Sequence, residues 1–214
     1  MGDLIYLDRR RAEHSSPPPP AKPMFVFDLT CPESYLVAER IERELGETEW
    51  IPLDATALRG EPDAAALHEW RKQAESVART QRLPLVWPER FPARMPCALR
   101  AAAYACELGA GPSFALAAFR LAFCGGFDLE DPEALAEAAA VARVPLDECL
   151  SAAGETWRDE ELADTAEALR RSGLTDVPAI CIDGQWFAGE SGLLAASAIL
   201  GTQETLTRPL APVG

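Results

Sequence analysis

The sequence predicts an α/β fold in which a βαβ unit is followed by a block of helices and then by a ββα unit. Three observations predict this order. A short apolar segment at residues 24–29 leads into a helical pattern that ends at Gly46. An Ala-rich stretch between residues 55 and 171 shows helical spacing interrupted by Pro and Gly. Two short strand patterns and a final helical pattern follow it.

The first unit contains a buried strand and an amphipathic helix. Residues 24–29 are rich in Phe and Val without polar alternation, which is typical of a central strand covered on both faces. Thr30 is predicted as the helix N-cap, with Glu33 completing a capping box. The helix is expected to end at Gly46. Residues 49–53 form the second strand, parallel to the first through a right-handed crossover.

The remaining elements follow from helical spacing and one turn signal. Residues 177–188 read as two short strands joined at Asp183 and Gly184, a strong hairpin signal. A last helix is expected over residues 190–200. Between the two units, helices are predicted at residues 63–79, 96–109, 112–123, 131–142, 146–153 and 158–172.

Composition and charge narrow the class of protein. The chain has 214 residues, 48% hydrophobic, and a net charge of −14. A nucleic-acid or anionic-membrane partner requires a basic surface, so neither is expected. No segment is apolar enough to cross a membrane. Residues 1–23 are charged and then Pro-rich without a signal-peptide core, and they are predicted to be a disordered tail. Residues 203–214 are predicted to be a C-terminal tail. A cytoplasmic location is the default expectation.

The cysteines form no pattern of a metal site or of a redox pair. None of them belongs to a C-x-x-C motif, and the chain has only two histidines, so no metal is expected. A reducing cytoplasm would keep the thiols free. Except for Cys31, packing in the core is the expected role. The six cysteines are Cys31, Cys97, Cys106, Cys124, Cys149 and Cys181.

Cys31 is the strongest candidate for chemistry. It lies at the first turn of the first predicted helix, where unpaired backbone N–H groups and the helix dipole stabilise an anion such as a thiolate. The carboxylate of Glu33 opposes this effect. The sequence therefore predicts a moderately lowered thiol pKa. The alternative interpretation is that Cys31 is a small apolar residue packed at a helix start.

Three segments in this order resemble one family. They are FDLTCPESYLVA at residues 27–38, GLTDVPAI at residues 173–180 and WFAGESGL at residues 186–193. Together they resemble the DsbA-type branch of the thioredoxin superfamily, which includes FrnE-like oxidoreductases, 2-hydroxychromene-2-carboxylate isomerases and kappa-class glutathione transferases. The resemblance implies a thioredoxin-like domain at residues 24–54 and 173–202, with a large helical subdomain inserted at residues 55–172.

The resemblance also implies a site. Pro178 should be a cis proline facing the sulfur of Cys31, and the backbone of Val177 should be free to pair with an extended thiol peptide such as glutathione. Glutathione or another low-molecular-weight thiol is therefore the implied cofactor, and a homodimer is the implied assembly. Residues 190–191 match the segment that holds the γ-glutamyl end of glutathione in relatives, although they also fit the N-cap region of the last helix. The implied binding residues are Pro32, Val177, Pro178, Glu190 and Ser191.

The motif CPES departs from both kinds of relative. Dithiol oxidoreductases of this branch carry C-x-x-C, whereas the isomerases and kappa transferases tend to carry Ser-Pro-x-Ser. Ser34 cannot displace a thiolate from a mixed disulfide, so release from Cys31 needs another thiol.

Three hypotheses follow from this motif. The first is a thiol-disulfide oxidoreductase that uses Cys31 and Ser34 on a small-molecule or peptide thiol or disulfide. The second is a glutathione-dependent isomerase or transferase in which the cofactor thiolate reacts. The third is a non-catalytic thioredoxin-fold binding module.

Overall fold

The described part of the chain folds around one mixed sheet. The computed structural model describes residues 22–88 and 90–207. Its sheet has the order β2-β1-β3-β4. The central strand β1 pairs with β2 in parallel and with β3 antiparallel, and β3 pairs antiparallel with β4. The strands are β1 at Met24–Phe27, β2 at Glu49–Pro52, β3 at Ala179–Ile182 and β4 at Gln185–Ala188. The predicted parallel start and the predicted α/β architecture are confirmed.

Helices occupy most of the remaining chain. The six predicted helices of the central block are present with ends shifted by a few residues. The described helices are α1 at Pro32–Leu45, α2 at Thr56–Arg59, α3 at Ala64–Gln81, α4 at Pro96–Glu107, α5 at Gly111–Phe123, α6 at Pro132–Ala142, α7 at Leu146–Gly154, α8 at Arg158–Arg171 and α9 at Gly189–Thr207.

Two helical features differ from the prediction. The one-turn helix α2 was not predicted, because four residues are too few to show helical periodicity. The last helix continues past Leu200 to Thr207, into the segment predicted as a C-terminal tail. Residues 1–21, 89 and 208–214 lie outside the described residues, so most of the predicted N-terminal tail is not tested.

The hairpin between β3 and β4 is confirmed at Asp183 and Gly184. Both residues have positive φ angles, 49° and 81°. A two-residue turn with φ above zero at both positions matches the twist of the flanking strands, and Asp-Gly favours it. The turn sets the register in which Ile182 pairs with Gln185.

The central strand β1 is buried on both faces of the sheet. Phe25 and Phe27 on one face of β1 join the large core that includes α5, where the rings of Phe27 and Phe119 lie 5.7 Å apart. Val26 points to the opposite face, where it packs in a smaller cluster with Ala166 of α8. Alternate residues of one strand thus face two cores, which explains the lack of polar alternation in β1.

Within the described residues, no helix combines the length and the apolar character needed to span a membrane.

Candidate active site

Cys31 lies in the connection between β1 and α1. Its backbone is extended, with φ −95° and ψ 112°, and it is the N-cap of α1, followed by Pro32 at the start of the helix. A proline is well suited to this position because its missing N–H would have no helical partner. The Cys31 amide donates to the carbonyl of Asp28 at 3.0 Å, which turns the chain from strand to helix.

The predicted capping box is wrong. The N-cap is Cys31 rather than Thr30, and its side chain makes no capping hydrogen bond. The amide of Thr30, which Glu33 was expected to hold, donates to Asp28 Oδ1 at 2.7 Å instead. Asp side chains commonly accept from an amide two residues ahead, and this local bond competes with the capping arrangement.

Asp28 is a buried carboxyl group that sequence reasoning did not assign to the site. It is only 4% exposed, and its Oδ2 accepts from the amide of Ala55 at 2.8 Å. Its own amide donates to Ser34 Oγ at 3.2 Å. Burial raises its pKa, against the opposing effect of the Ala55 and Thr30 amides. The sequence feature that could have indicated a role for Asp28 is its position as a charged residue directly after an apolar strand.

The expected juxtaposition of Cys31 and the Val-Pro segment is present. The Val177–Pro178 peptide bond is cis, as predicted. The thiol of Cys31 donates to the carbonyl oxygen of Val177, with 3.9 Å between sulfur and oxygen. Ser34, fully buried, lies on the first turn of α1 behind the sulfur. The structure thus brings Cys31, Pro32, Ser34, Val177 and Pro178 into one place.

The expectation that the Val177 backbone is free is wrong for this structure. Its carbonyl accepts from Cys31, and its amide donates to Asp176 Oδ1 at 2.8 Å. Arg59 of α2 pairs with the same carboxylate oxygen at 2.6 Å. Because Asp176 directly precedes Val177 in the sequence, its side chain is close enough to accept from the Val177 amide and occupies it in this structure.

The predicted lowering of the Cys31 pKa is also wrong. The side chain is 0% exposed, and burial, followed by the charges of Glu33 and Asp28, raises the pKa of the thiol to about 12. The Ser34 hydroxyl and amide act in the opposite direction, because they stabilise the thiolate at the helix start. Desolvation of the anion outweighs them. The resting thiol is therefore protonated at neutral pH.

Glu33 shares a charged environment with Arg59 and Asp176. Its pKa is raised by burial first and by the charge of Asp176 second, while the charge of Arg59 opposes both. The Trp70 N–H is buried and has no hydrogen-bond partner among the described residues. The guanidinium of Arg59 lies 4.9 Å from the centre of the Trp70 ring.

A cavity of about 570 Å³ adjoins the Cys31 loop. Its wall includes Thr30 from that loop, Arg59 from α2, Trp70 from α3, Leu99 from α4 and Leu162 from α8. This volume lies in the range of small-molecule sites. The cavity lies between the segments that follow β1 and β2 and the inserted helices, so both parts of the chain contribute to its wall.

Glu190 and Ser191 lie in the first turn of α9. Glu190 Oε1 accepts from Arg40 of α1 and from Gln81 of α3, while its Oε2 is buried without a partner in the described residues. Ser191 is exposed. The charge of Glu190 raises the pKa of Glu33, so it acts on the same region as the Cys31 loop. Their role in holding a ligand stays a prediction.

Comparison with known proteins agrees with this geometry. The sequence profile of the DSBA-like thioredoxin domain matches residues 24–200. The chain belongs to this family. No curated protein matches it by sequence at a significant level.

Solved structures similar to this DSBA-like protein differ in their activities. A 2-hydroxychromene-2-carboxylate isomerase has a TM-score of 0.72 at 14% identity, over 88% of this chain and 100% of its own. A probable DsbA oxidoreductase from Streptomyces coelicolor has a TM-score of 0.69 at 18% identity, over 90% and 93%. The cytosolic disulfide reductase DsbM from Pseudomonas aeruginosa, solved with glutathione, has a TM-score of 0.63 at 16% identity, over 86% and 100%. At these identities the likeness establishes the fold.

The other cysteines of this DSBA-like protein form no disulfides and lie in helices, directly after α5 (Cys124) or in β3. All six cysteines are free thiols. Cys149 is buried, and Cys97, Cys106, Cys124 and Cys181 are partly buried. Within the described ranges, no group of three or more His, Cys, Asp or Glu side chains is arranged to hold a metal ion.

Proposed function

We propose that this DSBA-like protein is a thiol-disulfide oxidoreductase that reacts through Cys31 alone. The observation that carries the proposal is the position of the Cys31 thiol. It is the N-cap of α1 and contacts the Val177 carbonyl beside a cis proline, with a hydroxyl at residue 34 instead of a second thiol. A sulfur at a helix N-terminus gains stabilisation for its thiolate as soon as the site admits solvent or a polar substrate.

The reaction proceeds by two thiol exchanges. Cys31 loses its proton and its thiolate attacks a disulfide, so that one S–S bond forms and one breaks, and the departing thiolate takes up a proton. The mixed disulfide on Cys31 is then attacked by a small thiol such as glutathione, which forms a new disulfide and returns Cys31 to the thiol. Ser34 cannot perform that second attack, because a hydroxyl does not displace a thiolate. The disulfide substrate is a small molecule or a peptide.

Ser34 has a supporting role in this mechanism. Its hydroxyl accepts from the amide of Asp28 at 3.2 Å, which fixes it beneath the loop. From there it favours the thiolate of Cys31. The raised resting pKa means that the substrate must open the site before Cys31 reacts, because a buried thiol of pKa about 12 is almost wholly protonated at pH 7.

The test is intact-protein mass spectrometry after brief treatment with oxidised glutathione. We expect one added glutathione that excess reduced glutathione removes and that Cys31→Ser abolishes. Cys97→Ser, which removes a partly buried thiol on α4, is the matched control and should keep the adduct. An adduct that survives Cys31→Ser, or no adduct in the wild type, contradicts this mechanism.

The second candidate is a glutathione-dependent isomerase or transferase, and the raised Cys31 pKa favours it. A protonated Cys31 and the Ser34 hydroxyl would donate hydrogen bonds to the thiolate of bound glutathione, which would then react. In that case Cys31→Ser keeps much of the activity. A non-catalytic binding module predicts neither an adduct nor binding of small thiols. The homodimer implied by the family resemblance stays a prediction.

A further inference from the structure

One carboxylate oxygen bridges two donors beside the Cys31 thiol. Asp176 Oδ1 accepts from the amide of Val177 at 2.8 Å and from Arg59 Nη1 at 2.6 Å. The two donors come from α2 and from the connection that leads into β3, so they are distant in sequence and converge at one point. We refer to this arrangement as the Asp176 bridge.

The two partners of the Asp176 bridge differ in exposure. Arg59 stacks on the face of Trp70, with 4.9 Å between its guanidinium carbon and the ring centre, and its side chain is 29% exposed. Such stacking stabilises a cation in place. The Asp176 side chain is 47% exposed and lies within the connection between α8 and β3. Asp176 is therefore the partner that a carboxylate from solvent can displace more readily.

The location of the Asp176 bridge relates it to the thiol. The Val177 amide donates to Asp176 and the Val177 carbonyl accepts from Cys31, so both contacts are made by the backbone of one residue. Arg59 and Trp70 also line the 570 Å³ cavity, whereas Cys31, Asp176 and Val177 do not, so a ligand in the cavity approaches the site from the Arg59 side. Glu33 is an acidic neighbour of this arrangement. The charge of Asp176 raises the pKa of Glu33, the charge of Arg59 lowers it, and the charge of Glu190 raises it to a smaller extent.

We infer that Arg59 and the Val177 amide form the carboxylate-binding part of the thiol site, and that Asp176 occupies it in the resting protein. The ligand is a small thiol peptide whose cysteine is followed by a carboxylate, glutathione being one example. Its sulfur lies at Cys31, and its carboxylate replaces that of Asp176 on Arg59. This inference rests on the proposed function for the placement of the sulfur. It makes Arg59 a specificity-determining residue and Asp176 an internal competitor of the ligand.

The experiment measures binding of S-methylglutathione by isothermal titration calorimetry. Asp176→Ala should tighten binding severalfold, because it removes the competing carboxylate. Arg59→Gln should weaken binding about tenfold, the effect of one hydrogen bond to a charged group. Removing either partner of a merely structural ion pair would change binding in the same direction or not at all. Changes of opposite sign therefore distinguish the two roles.

Two controls make the result specific. Glu167→Ala and Arg170→Gln remove the partners of an exposed ion pair on α8 and should leave binding unchanged. S-methylglutathione esterified at its glycine carboxylate should bind wild type and Arg59→Gln equally, because it lacks the group that Arg59 recognises. A loss of ester binding equal to the loss for the free acid would overturn the inference.

The outcome is separable from that of the proposed function. S-methylglutathione has neither a free thiol nor a disulfide, so its binding does not need a reactive Cys31. If oxidised glutathione leaves no adduct but the two variants change binding in opposite directions, the redox mechanism fails and the carboxylate site stands. If the adduct forms but both variants shift binding in one direction, or no variant binds S-methylglutathione, the carboxylate site is refuted.

Discussion

At the scale of single residues, the protonation of Cys31 is decided by burial rather than by the helix dipole. A helix N-terminus stabilises an anion by about 1 kcal/mol at an exposed position, whereas removal from water costs a charged group several times more. The two nearby carboxyl groups, Glu33 and Asp28, add to that cost. The thiolate forms only when the environment of the sulfur changes.

This predicts the titration of the thiol. The difference in absorbance at 240 nm between wild type and Cys31→Ser should show no thiolate up to pH 9. Glu33→Gln should move the titration to lower pH, because it removes the second-largest cause of the raised pKa. Glu69→Gln, an exposed carboxylate on α3, is the matched control and should not shift it. A midpoint near pH 7 in the wild type would contradict the assignment.

The same shift has a consequence for stability. The folded pKa of about 12 lies above the unfolded value of roughly 8.5, so the protonated thiol favours the folded state below that lower value. This contribution is lost as the pH rises from the unfolded value towards the folded one. The unfolding free energy of wild type relative to Cys31→Ser, measured with urea, should therefore fall between pH 9 and pH 11.

At the scale of secondary-structure elements, a partly buried ion pair joins three helices. Arg40 of α1 is 6% exposed and donates to Glu190 of α9, which also accepts from Gln81 of α3. These bonds hold the first and last helices of the thioredoxin-like half together and attach the inserted α3 to both. Loss of Arg40 would remove the charged partner of Glu190 and leave it only the hydrogen bond from Gln81.

Arg40→Met should therefore lower the unfolding free energy by about 2 kcal/mol, because Glu190, which is 26% exposed, would lose a charged hydrogen-bond partner. Arg43→Met on the same helix, where the arginine side chain is 71% exposed, should have almost no effect. Chemical denaturation of both variants provides the measurement. Equal stability of the two variants would show that the α1–α9 contact is stabilised by apolar packing alone.

Elements with a strong local signal were predictable from the sequence, and weaker ones were not. The Asp183-Gly184 turn and the start of the buried strand β1 depend on short-range chemistry and were predicted where they occur, although β1 ends at Phe27 rather than at the predicted residue 29. The start of α1 was misassigned, because Thr30 and Glu33 fit a capping box that the Asp28 side chain prevents. Local pattern could not reveal that Asp28 takes the Thr30 amide, since Asp28 also depends on the distant amide of Ala55.

At the scale of the whole molecule, the inserted helices share one core with the sheet. Phe27 of β1 packs at 5.7 Å from Phe119 of α5, and Tyr35 of α1 packs at 5.7 Å from Phe123. These rings belong to one continuous cluster. The division into a thioredoxin-like domain and an inserted subdomain therefore describes the order of the chain, and the two parts are expected to unfold together.

Phe119→Ala tests this expectation. Removing a buried ring should cost about 3 to 4 kcal/mol and lower the melting temperature. Far-ultraviolet circular dichroism, which reports mainly on the helices, and tryptophan fluorescence should give one coincident transition in both proteins. Two separated transitions would show that the helical insertion unfolds independently.

The site was predictable only for the residues that the order of strands and helices places at one end of the sheet. The βαβ start and the Val-Pro segment place Cys31 and Val177 at the same end of neighbouring strands, and the resemblance supplied that placement. Arg59 gave no signal, because it lies on an unpredicted one-turn helix. Its contact with Asp176 joins residues far apart in the sequence, and one sequence without its relatives contains no record of such a pair.

The closed position of Cys31 affects how the protein would look in a cell-wide survey of thiols. Probes such as iodoacetamide label cysteines in proportion to thiolate and access, and Cys31 offers neither at rest. The same shielding keeps hydrogen peroxide from converting it to sulfinic acid. Such a survey would score the sulfur as inert, and that score would describe a closed site rather than a residue without a role.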